Sequence, residues 1–226
     1  CLMFEKMRER WTKAIQPLVV RMGSLDPSVL TWASLGIAIA SFYLISQAGD
    51  DPTGALWIIG GVFLILFAGI LDALDGALAR HQGTDGPYGD FLDHTIDRVV
   101  DVGLLVAIGM NANFVDDYST GLLAGLLTLF GSYMGTQAQS VGVGRIYGGF
   151  SRADRMVLTI LALLVVSWQA YTGAAGISVD SMHWIMEVFN LGNGELNGMT
   201  FALAISAWGG VYTFMIRFLK TRTQLL

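Results

Sequence analysis

Long apolar stretches alternate with short polar connections along this chain, and their lengths predict helices rather than strands. Six stretches are long enough to cross a bilayer: roughly 28–48, 55–80, 90–112, 119–140, 153–173 and 197–220. Ahead of them, residues 2–22 interleave Lys6, Arg8, Arg10, Lys13 and Arg21 with Phe4, Met7, Trp11, Ile15 and Leu18. That pattern predicts a basic amphipathic helix lying in the membrane interface, with a solvated leader helix as the alternative. Asp26-Pro27 marks the start of the first span, with proline in the first turn. The longest connection, 174–196, carries a partly apolar stretch at 183–189 that reads as a short helix against the bilayer. The expected architecture is all-α integral membrane, with six transmembrane helices and an N-terminal amphipathic interfacial helix. It divides into residues 1–22, the interfacial helix, and residues 23–226, one six-helix transmembrane catalytic domain.

Composition supports this picture. The chain is 54% hydrophobic and only 14% charged, which excludes an ordinary soluble domain. The net charge of −5 names no partner, and nucleic acid is not expected as one. The single cysteine, Cys1, cannot form an internal disulfide, and the first twenty-odd residues lack the continuous apolar core of a cleavable signal. With six spans, all 13 Lys and Arg residues fall at or near one side. The opposite connections, around Asp50-Asp51, Asp116-Asp117 and residues 180–195, hold none. The positive-inside rule then places both termini and the 71–101 hairpin in the cytoplasm. The many Gly, Ala and Ser residues of the spans suit close helix packing in lipid.

The chemistry concentrates in residues 71–101, LDALDGALARHQGTDGPYGDFLDHTIDRVVD. Asp72, Asp75, Gly76, Ala79 and Arg80 fall at i, i+3, i+4, i+7 and i+8 and so share one helix face, while Asp93 and Asp97 are i, i+4 on the next helix. Four carboxylates beside a membrane repel one another and are costly to desolvate, so divalent cations with oxygen ligands are the natural compensation. Asp72, Asp75 and Asp93 are the expected direct ligands, and Asp97 the expected general base with a possible share in the metal. Gly76 and Ala79 let a nucleotide approach the helix, and Arg80 is placed for a phosphate. Taken apart from the rest of the pattern, Gly76 and Ala79 read as tight helix packing. Asp90 reads as a charge favoured at a helix start, Asp101 as a partner of Arg98, and Asp85 as turn chemistry.

The spacing Asp72-x2-Asp75-Gly76-x2-Ala79-Arg80-x8-Gly89-x3-Asp93-x3-Asp97 resembles the signature of the CDP-alcohol phosphotransferases (CDP-alcohol phosphatidyltransferases), integral-membrane enzymes of phospholipid synthesis. In character the chain is closest to the phosphatidylinositol-phosphate and archaetidylinositol-phosphate synthases. The resemblance implies six spans, a homodimer, and two divalent metal ions (Mg2+ or Mn2+) on Asp72, Asp75, Asp93 and Asp97. It also implies a CDP-linked lipid donor in a pocket formed with Asp72, Gly76, Ala79, Arg80 and Gly89. Residues 26–31, DPSVLT, resemble the family stretch that opens the first span, with Ser28 in place of the usual Asn. Thr31 is thereby a nucleotide-side candidate, or else a helix cap. The run Gly149-Phe150-x-Arg152-x-x-Arg155 is similar to the region that binds a phosphorylated acceptor. It makes Arg152 and Arg155 candidate phosphate binders, or mere markers of topology. The fourth span departs from the family: Gly135, Gln137 and Gln139 stand where a Lys-x-Arg-x-Glu run is usual, and Arg145 is the candidate to supply the missing charge. Inositol phosphate, glycerol phosphate and other small polar alcohols therefore compete as acceptors. The alternative of another class is a cation channel or transporter built on the acidic site.

Overall fold

The computed structural model describes residues 15–144, 146, 148–178 and 195–226. Residues 15–21 are helical, and the rest of the expected interfacial helix lies outside the described residues, as does the stretch 183–189. Six long helices follow: α1 (Pro27–Gln47), α2 (Pro52–Gln82), α3 (Pro87–Gly109), α4 (Ser119–Ser140), α5 (Arg152–Thr172) and α6 (Gly198–Leu225). They coincide with the six apolar stretches. A two-residue antiparallel pair, β1 (Ile177–Ser178) and β2 (Glu195–Leu196), joins α5 to α6 with Ile177 opposite Leu196. This clasp was not expected, because two-residue strands leave no periodicity to read.

Local chemistry sets the boundaries. Asp26 and Asp51 cap α1 and α2 through their carboxylates, and Pro27, Pro52 and Pro87 each fill a first-turn site where no N–H is needed. Ser151 with Asp154, and Asn197 with Thr200, form reciprocal capping boxes that start α5 and α6. Helix α2 stops at Gly83, which takes a left-handed φ of 65°.

Among the described residues, four helices, α1, α2, α5 and α6, are long and apolar enough to cross a membrane, which supports an integral membrane protein. Helices α3 and α4 have the length but not the apolarity. Helix α3 carries Asp90, Asp93, Asp97, Arg98 and Asp101 in its first half, and α4 is rich in Gly, Ser, Thr and Gln. The outward surface is oily, with Leu56, Phe63, Trp168 and Tyr171 all exposed.

The helices close into a ring in the order α1, α2, α5, α6, α4, α3 and back to α1. Helix α6 lies so close to α4 that a Cβ on Gly210 would stand 2.6 Å from the Leu127 carbonyl carbon. Although adjacent in sequence, α2 and α3 pack mainly through α1. Their motif-bearing ends are therefore held apart across a space. A main core of Ala38, Ile45, Ile58, Leu105, Leu163 and Leu203 fixes the bundle. A second cluster, Val19, Leu30, Leu74 and Leu78, seats the 15–21 helix beside that space.

Candidate active site

The 71–101 stretch folds as the end of α2, a short turn and the first half of α3. The shared face predicted for α2 is realised: Asp72, Asp75, Gly76, Ala79 and Arg80 line one cavity of about 1530 Å³. Gly89 and Asp93 of α3 and Thr31 of α1 line it as well. The Arg80 guanidinium lies over Gly76, where a Cβ would stand 3.3 Å from its Nη1. Nothing stands within 4 Å of where a Cβ on Gly89 would lie, so that wall is open. Thr31 is not the cap of α1, a role taken by Asp26. It is buried, and its hydroxyl donates a short hydrogen bond to Asp75 Oδ2. The roof is segment 23–28, tied down by Gln82, whose Nε2 donates to the carbonyls of Gly23 (3.1 Å) and Leu25 (2.8 Å).

At the α3 edge, one ligand atom each from Asp93, His94 and Asp97 lie within 4.8 Å of one another. Two carboxylates and an imidazole at that range suit a divalent cation. His94 escaped sequence reasoning, because the i, i+4 spacing that pairs Asp93 with Asp97 does not mark the residue after Asp93. Asp72 and Asp75 sit outside this set and share the large cavity with Asp93. Asp90 pairs with His94 at 3.5 Å rather than serving the helix start alone.

A second cavity, about 70 Å³, is lined by Arg98, Arg152, Arg155, Arg217 and Thr128. Arg152 connects it to the carboxylates, reaching Asp97 Oδ1 at 2.7 Å, Asp101 Oδ1 at 3.1 Å and Asp72 Oδ2 at 3.9 Å. Asp101 is buried and does more than pair with Arg98: its Oδ2 also accepts a short bond from Arg155. Four guanidiniums around one small space, partly balanced by Asp101 and Asp97, leave it positive and suited to an oxyanion. Thr128 Oγ1 and Arg217 Nε are buried there with no hydrogen-bond partner among the described residues. Arg145 lies outside the described residues. Arg217 reads from sequence only as a topology marker, and Arg98 as a topology marker and the partner of Asp101. The signals for Arg98 are its place directly after Asp97 and its i, i+3 spacing to Asp101, and Arg217 carries none.

A profile of the CDP-alcohol phosphatidyltransferase family matches residues 25–189. The chain is 32% identical over 172 residues to the archaetidylinositol phosphate synthase of Pyrococcus horikoshii, covering 72% of this chain and 82% of that protein. It is 26% identical over 192 residues to the phosphatidylinositol phosphate synthase of Cutibacterium acnes, covering 80% and 84%. The fold is similar to that of Mycobacterium tuberculosis phosphatidylinositol phosphate synthase with CDP-DAG bound, at a TM-score of 0.66 and 21% identity over 95% of this chain and 94% of that one. The same protein in complex with manganese and citrate matches at a TM-score of 0.65, again at 21% identity, over 94% and 89%. With its aspartate hairpin, its apolar helices and a profile match across most of its length, the chain belongs to the CDP-alcohol phosphatidyltransferase family of membrane phospholipid-synthesising enzymes.

Proposed function

We propose that this enzyme transfers a phosphatidyl or archaetidyl group from a CDP-linked lipid to the hydroxyl of a phosphorylated polyol such as inositol phosphate, releasing CMP. The observation that carries this reading is the four-arginine cavity joined through Arg152 to Asp97. Its volume of about 70 Å³ suits a phosphate rather than a whole polyol. Glycerol phosphate presents the same group and remains the alternative acceptor. The cation-channel alternative gives no account of the arginines. Relatives named archaetidylinositol and phosphatidylinositol phosphate synthase support inositol phosphate.

The donor half follows from the large cavity. Asp72, Gly76, Ala79, Arg80, Gly89 and Thr31 receive the CDP moiety, the small residues admitting it and Arg80 meeting a phosphate. Asp72, Asp75, Asp93 and Asp97 are the residues to hold two divalent ions, Mg2+ or Mn2+, with His94 a further donor at the α3 edge. When bound, such ions neutralise the pyrophosphate and its leaving group. Thr31 orients the Asp75 carboxylate through its hydroxyl.

In the acceptor half, Arg98, Arg152, Arg155 and Arg217 grip the acceptor phosphate and hold the attacking hydroxyl near Asp97. Asp97 takes the hydroxyl proton as the acceptor oxygen bonds to the lipid-bearing phosphorus. The phosphoanhydride P–O bond breaks in line, and CMP departs with its electron pair.

The same reading makes residues 23–226 one catalytic domain of six spans, α3 and α4 crossing with their polar faces turned inward, and residues 1–22 an interfacial helix against membrane lipid. It places both termini and the active site on the cytoplasmic side and pairs two copies as a homodimer. The test is CMP release from a CDP-lipid by purified enzyme with Mg2+ and inositol phosphate. Asp97→Asn is expected to lose nearly all of it; equal release by both proteins refutes the base assignment.

A further inference from the structure

We propose that Gly135 is a specificity-determining position, because its missing side chain gives the Arg217 guanidinium its place in the small cavity. Helix α4 contributes Thr128, Gly131 and Ser132 to that cavity and carries no charged residue anywhere between 119 and 140. The positive charge on this wall comes from across the bundle. Arg217 of α6 reaches over α4, and its Nη1 donates to the Gly131 carbonyl at 2.8 Å. One turn further along α4, a Cβ on Gly135 would stand 2.8 Å from Nη1 and 3.4 Å from Cζ of the same guanidinium. That is closer than side chains pack. Any residue other than glycine at 135 therefore moves the arginine, and with it the buried Nε that has no partner among the described residues.

The clash is with the tip of one long side chain and with no backbone. Gly135 lies inside a helix, where alanine is favoured over glycine. Gly135→Ala is thus expected to leave the fold intact while displacing one guanidinium, separating site geometry from stability. The arrangement also has a chemical consequence. A guanidinium laid along α4 offers a planar, two-point grip on an oxyanion, where a lysine rooted at 135 would offer a point charge on a flexible stem.

The inference rests on the phosphorylated-acceptor reading above, and one set of kinetics separates the two. Initial rates are measured with saturating CDP-lipid against inositol phosphate, glycerol phosphate and free inositol, with inorganic phosphate as a competitor, for wild type and for Gly135→Ala, Arg217→Ala and Gly135→Lys/Arg217→Ala. Losing a charge-assisted contact in Arg217→Ala is expected to raise the KM of the phosphorylated acceptor about tenfold or more. Gly135→Ala is expected to raise it in the same direction by less, to weaken inhibition by inorganic phosphate in parallel, and to leave the CDP-lipid KM unchanged. The double variant, which returns a cation to the same wall, is expected to regain part of what Arg217→Ala loses. Wild-type kinetics in Gly135→Ala, or a double variant no better than Arg217→Ala, overturns the inference while the acceptor reading stands. A wild-type enzyme that uses only free inositol and ignores inorganic phosphate overturns the acceptor reading and this inference together.

Discussion

Asp101 offers the sharpest test of how the small cavity is held together. Its side chain is 1% exposed, and both oxygens are engaged by guanidiniums, of Arg152 on one and of Arg98 and Arg155 on the other. Arg155 itself is 9% exposed at the side chain, so removing its partner strands a buried charge. Breaking a buried ion pair from one side costs about 3–5 kcal/mol, a large part of the roughly 5–15 kcal/mol that holds a typical domain folded. For a chain of this size that corresponds to a fall in Tm of roughly 6–20 °C. The measurement is thermal unfolding of the purified protein in detergent for Asp101→Ala, with Arg155→Met and Asp101→Ala/Arg155→Met beside it. Because the penalty is the unpaired charge rather than the missing contact, the double variant is expected to be more stable than Asp101→Ala alone. If Asp101→Ala melted with wild type, or if the double variant lost the sum of the two single losses, the buried-pair account would be wrong.

Other consequences reach the donor side. Chelation is expected to abolish CMP release, with Mg2+ or Mn2+ restoring it; full activity in excess chelator contradicts the metal assignment. His94→Ala is expected to raise the metal concentration needed for half-maximal rate by a few-fold, since it removes one donor of the α3 set. Thr31→Val keeps shape but removes the hydroxyl bonded to Asp75, so about a tenfold loss in kcat/KM for CDP-lipid is expected, with the acceptor KM unchanged. Gln82→Ala frees the 23–25 segment that roofs the large cavity, and is expected to raise the CDP-lipid KM more than it lowers kcat.

Much of the large cavity's lining was legible in the chain, and physical reasons set where legibility stops. Helical periodicity alone puts Asp72, Asp75, Gly76, Ala79 and Arg80 on one face, and the structure lines one cavity with them. Apolar length marks six helices, yet α3 and α4 fall short of membrane-spanning apolarity, because α3 carries the site's charges and α4 its small polar residues. The small cavity was read less well. Arg152 and Arg155 stand out through a local run, whereas Arg217 lies more than sixty residues from either, on another helix. Only the ring order, which places α6 between α5 and α4, carries it to α4 and the small cavity. The same holds for Asp101: the i, i+3 spacing shows Arg98, but nothing along the chain shows that α5 brings two more guanidiniums to it. Spacing reports what shares a helix face; which faces meet is decided by the closure of the bundle.

The most direct test of the central claim is an acceptor panel run on the purified enzyme with a CDP-linked lipid and Mg2+, following CMP and the new lipid together. Inositol phosphate or glycerol phosphate is expected to drive stoichiometric formation of both products, while free inositol and serine leave the donor intact. Lipid product formed from serine or free inositol alone, or CMP released without any new lipid, would contradict the account.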